Sequence, residues 1–264
     1  MGPRLLFGTV SDLRRRCDIA SVRLTSSEPG YDTGALIPCD DWEPLTAVEA
    51  EDLRPDDTTP DQTLVQLVHR QLPNLDPDDL AGRLEAAATL DPLNGGWPTT
   101  LLGCTASPGN WTTTTEDSTI GRRIGLHVDN FDRLPYATRH HGRRRLCLNL
   151  GPGIRYLLIA DRDVQHICRA LYDDLDHNYP HTDDVRRYVA VGHHLRCLRI
   201  RLEPGDGYIA PTELLPHDGS TMNSAEPSIA AFWLGRQPKA HAPSLPGGTP
   251  APGKAPRRKI PAEP

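Results

Sequence analysis

The sequence predicts a mainly β domain of the α+β class: a jelly-roll or cupin-like barrel with N-terminal helices packed on one sheet. Three observations carry that expectation. Two well-marked helical patterns precede residue 124, six short β-type runs follow it, and Pro (26) and Gly (22) are abundant in a chain of 264 residues. Short apolar runs separated by turn residues suit a loop-rich β architecture better than a helical bundle. The length allows one sizeable domain or two small ones.

The elements follow in chain order. The opening MGPRLLFGTVSDLRRRC has a short apolar patch, but Asp12 follows it and no small-residue cleavage site does, so it reads as no secretion signal. Thr59-Pro60 supplies a cap with Pro at the first helical position, and Leu64, Val65, Leu67, Val68 and Leu72 then predict one apolar helix face. Asp76-Pro77 repeats the device ahead of Leu80, Leu84, Ala87 and Ala88. Residues 94–119 are rich in Gly, Thr and Pro and read as loops or short strands. Strand-type runs come next: RIGLHVD, RRLCLNLG, IRYLLIA, HLRCLRIRL, GYIAPTELL and SIAAFWLG, with EPGDG as a hairpin turn. One helix interrupts them over residues 163–175, with Val164, Ile167, Cys168, Leu171 and Leu175 on a stripe. A shorter one is expected over 183–191. From residue 237 the chain carries eight prolines and almost no large apolar side chains. Such a segment cannot offset its ordering entropy, so 237–264 reads as a disordered tail whose PRRK is a solvated charge cluster. The expected organisation is therefore a single catalytic domain over 1–236, with its β core over about 120–236, and the tail.

Composition excludes several partners. The formal net charge is -6, and without the tail 24 basic residues face 34 acidic ones. An acidic body argues against nucleic acid. No apolar run approaches the roughly 20 residues of a membrane span. The six cysteines form no C-x-x-C pair. They predict neither a zinc ribbon nor a disulfide framework and fit reduced thiols in a cytoplasmic protein.

The stretch IGLHVDNFD puts His127 and Asp129 two residues apart. On a strand, such residues share a face. His217 lies 90 residues on, just past a later strand. Two ligands from one strand and a third from a distant one suit a facial triad, which leaves three positions of an octahedral ion open. On non-haem Fe(II) those positions take a bidentate co-substrate and O₂. The competing reading makes His127 and Asp129 a metal-free strand-edge pair. Asp218 is an alternative carboxylate, although adjacent residues on an extended chain point apart. His140-His141 and His193-His194 sit in polar connections and read as solvated loops. His177 and His181 are separated by Pro180, which breaks a helix.

From about residue 124 to 235 the chain resembles the iron- and 2-oxoglutarate-dependent dioxygenases. The resemblance rests on HVD, on RRLCLNLGPGIRYLLI and on EPGDGYIAPTELLPHDGST with its distal His217. It looks like a bacterial group with H-x-D-x-[WF]-D, R-x-C-x-N-L-G and A-P-T-E-x-x-x-H-D-G-S-T blocks. The resemblance implies a double-stranded β-helix core and Fe(II) held by His127, Asp129 and His217. It further implies O₂ as oxidant and 2-oxoglutarate as a co-substrate decarboxylated to succinate. The expected reaction is hydroxylation of an amino-acid or peptide-like small molecule in specialised metabolism. Two rivals stand beside it: a cupin-type metalloenzyme that uses no 2-oxoglutarate, and a non-catalytic cupin-like binding module.

One departure bears on the co-substrate. Many members hold its distal carboxylate with an Arg on the strand after the distal His, but NSAEPSIAAFWLG has no basic residue and Arg236 lies at its far end. In RLCLNLG, Arg145, Cys147 and Asn149 alternate with Leu146, Leu148 and Leu150, so period two turns the first three to the barrel interior. A guanidinium there matches a carboxylate. Arg145 is therefore the expected anchor, with Thr221 or Ser220 as hydroxyl partner, Asn149 beside it and Arg143 as fallback. Arg145 could instead pair with a buried acid such as Glu213. Cys147 reads as a small core residue. Asn130 and Asp132 would lie at the barrel mouth against substrate, Asp132 holding a cationic group or capping a turn. Arg139 and Trp111 are further candidates for the mouth, and Glu213 for the pocket wall.

Overall fold

The computed structural model describes residues 2–72, 79–93 and 99–236. In chain order these form β1 (Arg4–Leu6), α1 (Val10–Arg16), β2 (Cys17–Leu24), β3 (Tyr31–Pro38), β4 (Glu43–Pro44), α2 (Ala47–Asp52), β5 (Leu64–His69), α3 (Leu80–Thr89) and β6 (Thr99–Ser107). There follow β7 (Glu116–Asp117), β8 (Arg122–Gly125), β9 (Arg144–Pro152), β10 (Arg155–Ala160), α4 (Val164–Leu171), α5 (Thr182–Ala190), β11 (Arg196–Leu202), β12 (Asp206–Ala210), β13 (His217–Ser220) and β14 (Ser228–Gly235). The protein is mainly β. No helix among the described residues is long and apolar enough to cross a membrane.

Two mixed sheets face each other. One runs β1-β5-β12-β9-β14-β6; the other runs β13-β10-β11-β2-β3-β8-β7, with β4 on β2. The chain just past β8 bridges to β13 through His127 and His217, so the second sheet curls back toward its own far edge. Alternation along the strands sorts the side chains. Cys147, Tyr208, Ala210 and Ala230 of the first sheet meet Leu157, Ile159, Leu198 and Ile200 of the second in a core between the sheets. Leu146, Leu148, Leu150, Ile209 and Trp233 face outward under Ala87 of α3. Leu126, Val128, Leu158 and Cys197 face the other way, under α4 and α5. The molecule is layered as helix, sheet, sheet, helix pair.

The period-two expectation for β9 is met, with the leucines under α3 and Cys147 between the sheets. The stripe Val164, Ile167, Cys168, Leu171 and Leu175 also lies in one cluster. Asp163 caps α4 by accepting from the His166 N–H, which ends the preceding extended segment. The expected helix behind Thr59-Pro60 is instead a 3₁₀ turn, Asp61–Thr63, and then β5. β5 lies between β1 and β12, with Val65 and Leu67 toward the inner core and Val68 toward α3. A strand covered on both faces is apolar throughout, and periodicity cannot separate it from a short helix. The second expected helix forms as α3 from an Asp79 cap. There Ala87 is buried but Leu84 is 40 % exposed, so the buried face is narrower than expected. Asp76-Pro77, part of the 94–119 segment and the 237–264 tail lie outside the described residues. Within 99–107 the chain is a nine-residue edge strand, β6, longer than the short strands or loops expected there. Helices pack on both sheets, not on one. In place of the long strand expected over RIGLHVD, β8 stops at Gly125.

That stop depends on Gly125. Its φ is +70°, and a Cβ there would come within 2.2 Å of the Leu36 carbonyl oxygen, which accepts from the Leu126 N–H. The left-handed residue turns the chain out of the β3 pairing and toward β13. Gly125→Ala is expected to lower unfolding free energy by about 2–3 kcal/mol, read from urea denaturation. A loss below a few tenths would show that the turn is not fixed by this residue.

Candidate metal centre

Past Gly125 the alternation continues for four residues. Leu126 and Val128 enter the cluster under α4 and α5. His127 and Asp129 face the other way, as the H-x-D spacing predicts. The His127 N–H donates to the His217 carbonyl at 3.0 Å, and the His217 N–H returns the bond at 2.8 Å. The Asp129 N–H donates to the Thr212 carbonyl at 3.0 Å. These bonds bring three side chains from separate parts of the sequence into one buried group, His127, Asp129 and His217, whose ligand atoms all lie within 4.8 Å of one another. The three residues are 5 %, 9 % and 2 % exposed.

Both rings are held in the tautomer a metal needs. His127 Nδ1 is 2.9 Å from the Gly125 carbonyl, and His217 Nδ1 is 3.2 Å from the Leu215 carbonyl. A carbonyl only accepts, so Nδ1 carries the proton and Nε2 presents its lone pair. The carboxylate is asymmetric. Asp129 Oδ1 accepts from Arg145 Nη2 at 3.1 Å, while Oδ2 is buried without a hydrogen-bond partner and lies 3.7 Å from His217 Nε2. An orphaned carboxylate oxygen beside two imidazole Nε2 atoms turned toward it is what a divalent cation satisfies. The group could hold a metal ion.

Electrostatics agree with that donor set. Burial holds His217 neutral, pushing its pKa down to about 3 against the attraction of Asp129. For Asp129 burial works upward, but the Arg145 guanidinium above all, with the two neighbouring imidazoles, outweighs it and holds the carboxyl below its usual range. The centre thus presents a neutral His217 imidazole and the Asp129 carboxylate at neutral pH, with the His127 ring beside them.

Around it stands a brace the sequence reading assigned to substrate. Arg139 is 1 % exposed, so it is not at an open mouth. Its Nη2 donates to the Asp129 carbonyl at 2.6 Å, its Nη1 to Asn130 Oδ1 at 2.7 Å and its Nε to the Glu213 carbonyl at 2.8 Å. One guanidinium therefore ties the Asp129 turn to the segment preceding His217. Glu213 is also buried; its Oε1 accepts from the Asp132 N–H, and it makes no ion pair with Arg145. Asp132 is engaged by Arg143, through Nε at 2.7 Å and the backbone N–H at 2.8 Å. That pairing takes Asp132 from any cationic ligand and turns Arg143 away from the interior. Asp218 points away from His217 and accepts from the N–H groups of Thr114 and Thr115.

The expected hydroxyl partners are likewise occupied. Thr221 Oγ1 donates to the Pro108 carbonyl, and Ser220 Oγ to the Trp111 carbonyl. Both fasten the loop of residues 108–111. Trp111 itself stacks against Arg123. Asn149 is fully buried: its Nδ2 donates to the Gly153 and Leu202 carbonyls, and its Oδ1 accepts from Gly151 N–H and Ser228 Oγ. Its amide closes the β9–β10 hairpin and has no capacity left for a ligand.

Two interior cations remain. Arg145 adds to its Asp129 bond a contact of Nη1 with His217 Nε2 at 3.4 Å, and lies 5.3 Å from the ring centres of Phe131 and Phe232. Arg155, which the sequence reading gave no role, heads the inward row of β10 with Leu157 and Ile159. It is 4 % exposed and donates only to Ser107 Oγ at 3.3 Å and Thr114 Oγ1 at 2.8 Å. Among the described residues it makes no ion pair. It packs over Gly219, where a Cβ would meet its Nη2 at 2.4 Å. Gly219 follows His217 by two residues on β13, so guanidinium and ligand share one face. Tyr208, fully buried on β12, feels the charges of Arg145, Arg155 and Asp129 together. A cavity of about 640 Å³ lies elsewhere, beside α2 and β11, but its Arg196 pairs with Glu49 and Asp161 and no candidate metal ligand set lines it.

Two outcomes test the centre. Unfolded histidine titrates near 6.5, so between about 6.5 and 3 the unfolded chain binds a proton that folded His217 refuses. Without metal, stability is therefore full above that window and falls as the pH drops through it, and depressed Asp129 extends the loss at the acid end. His217→Gln should flatten the upper part of this limb in urea titrations; an unchanged slope would refute the assignment. By calorimetric Zn(II) titration, Arg139→Gln should weaken affinity by about 10–100-fold, and Asp129→Asn by more. Against known proteins, no family model and no curated protein matches this chain.

Proposed function

We propose that the protein is an oxygenase that uses Fe(II), 2-oxoglutarate and O₂ to hydroxylate a small amino-acid- or peptide-like molecule. The observation that carries this reading is the buried set of two imidazoles and one carboxylate with an unsatisfied Oδ2. Fe(II) on His127, Asp129 and His217 would supply the redox chemistry and activate O₂ at the positions those ligands leave open. The strand order supports a double-stranded β-helix. Counting from β6, alternate pairing gives β6-β14-β9-β12 in one sheet and His127 segment-β13-β10-β11 in the other. Two interlocked Greek keys have that order.

The chain's own residues would divide the work. Arg145 and Arg155 both face the interior, but only Arg145 has a carboxylate beside it. Burying an unpaired guanidinium is costly, and a ligand carboxylate satisfies it bidentately. Arg155, with Ser107 and Thr114 hydroxyls around it and Gly219 leaving space, is thus a better anchor for the distal carboxylate of 2-oxoglutarate than Arg145. Arg139 would keep Asp129 oriented from behind. Leu157, Ile159 and Ala230 line the same inter-sheet core and exclude water from the reacting groups.

Under anaerobic conditions, Fe(II) plus 2-oxoglutarate should give a weak visible charge-transfer band that His217→Ala abolishes. Arg155→Met should need about tenfold or more co-substrate to reach the same absorbance. In air, the wild type should release succinate. Iron bound with no band and no succinate would favour a cupin-type metalloenzyme that does not use 2-oxoglutarate; no iron bound would favour a binding module.

A further inference from the structure

The charges facing the interior do not balance, and the imbalance names a substrate class. Arg145, Arg155 and a divalent ion would share one carboxylate, Asp129. Of the next buried acids, Glu213 is paired with Arg139, and Asp218, between His217 and Gly219 on β13, turns to the opposite face of the strand and bonds Thr114 and Thr115 there. A co-substrate dianion reduces the excess, but one guanidinium is still undersupplied with anion.

Depth orders the two cations. Arg155 is 4 % exposed and enclosed by Ser107, Thr114 and Gly219. Arg145 lies nearer the opening: its side chain is 16 % exposed, and Phe131 beside it is 37 % exposed. Its Nε is buried without a hydrogen-bond partner. Nη2 spends one N–H on Asp129 and has a second. The Nε–Nη2 edge therefore offers two donors to an incoming carboxylate. Phe131 and Phe232 flank that guanidinium with apolar surface. Asp132, expected from the sequence to hold a cationic group, is paired with Arg143.

We propose that the oxidised substrate is a carboxylate with an apolar stem, its carboxylate held by Arg145 and its stem lying against Phe131 and Phe232. This assignment rests on the metal-centre reading above. It places a C–H bond of the stem near the centre, because Arg145 touches both Asp129 and His217. It also reverses the charge expected from Asp132.

The test uses the full-length protein loaded with Mn(II) and 2-oxoglutarate, and reads paramagnetic relaxation of small probes by NMR. The probes are phenylacetate, 3-phenylpropanoate and 4-phenylbutanoate, each against its neutral amide. At least one acid should show about tenfold or more enhancement over its amide. Arg145→Met should lose that enhancement while still binding 2-oxoglutarate, and Arg145→Lys should recover part of it. Arg155→Met should show the opposite pattern, losing 2-oxoglutarate first. Equal enhancement of acids and amides, or none for any acid in the ternary wild type, overturns the proposal independently of whether Arg145→Met folds. Loss of 2-oxoglutarate binding in Arg145→Met alone would make Arg145 the co-substrate anchor and also overturn it. Absence of Mn(II) binding removes the metal reading and this assignment together, and so differs from the other failures.

Discussion

The reciprocal backbone pair between His127 and His217 is the constraint on which the rest of the site depends. Each residue donates to the other's carbonyl, at 3.0 and 2.8 Å. The pair is one isolated bridge, not part of a long ladder. It nevertheless fixes the separation of two imidazoles 90 residues apart in sequence, with ring centres 4.6 Å apart. Two features keep so short a pairing in place. Gly125 turns the chain out of the β3 register before the bridge, and Arg139 clamps the turn after it. Backbone bonds of this kind position side chains more firmly than loops do, because their donors and acceptors have no other partners once buried.

Polar groups behind the centre are satisfied almost entirely by backbone. Arg139 spends its guanidinium on the carbonyls of Asp129, Leu134 and Glu213, and Arg144 donates to the carbonyls of Asp61 and Ile209. Asn149 uses all four of its hydrogen-bonding positions within the β9–β10 hairpin and its neighbours. These are structural roles with little freedom to change protonation or partner. The orphaned groups are fewer, and Asp129 Oδ2, Arg145 Nε, Thr212 Oγ1, Glu213 Oε2 and Asp218 Oδ2 lie at or next to the triad. An unsatisfied carboxylate oxygen and an unsatisfied guanidinium nitrogen side by side at one buried donor set mark where a ligand would be received.

How far the sequence disclosed this follows from the physics of each signal. The alternation in RLCLNLG was legible because leucines on one face and polar residues on the other can arise only from a strand between a helix and a core. The helix α4 was legible from its apolar stripe, and α5 was expected over 183–191 without one. β5 was not, because Leu64 to Val68 is apolar on both faces, and its partners β1 and β12 are remote in sequence. The triad could be read from spacing because H-x-D fixes a shared face. Its surroundings could not: whether Arg139, Asp132 or Asn149 meets a ligand depends on which backbone atoms reach it first. Arg155 lay within reach of the rule already used for Arg145, since Arg155, Leu157 and Ile159 alternate with Tyr156, Leu158 and Ala160.

The two interior arginines also show why charge must be counted over a whole chamber and not residue by residue. Taken alone, Arg145 looks satisfied, with a carboxylate at 3.1 Å and two aromatic rings at 5.3 Å. Taken with Arg155 and with a cation on the donor set beside it, that same carboxylate would serve too many cations. A protein removes such an excess either by neutralising a group or by binding an anion. Guanidinium does not deprotonate at any pH the fold would meet, and His217 is already neutral. Only the anion is left. On the proposed reading, an interior that keeps two guanidiniums on facing strands, one 4 % exposed and one with a 16 % exposed side chain, would receive negative charge at two depths.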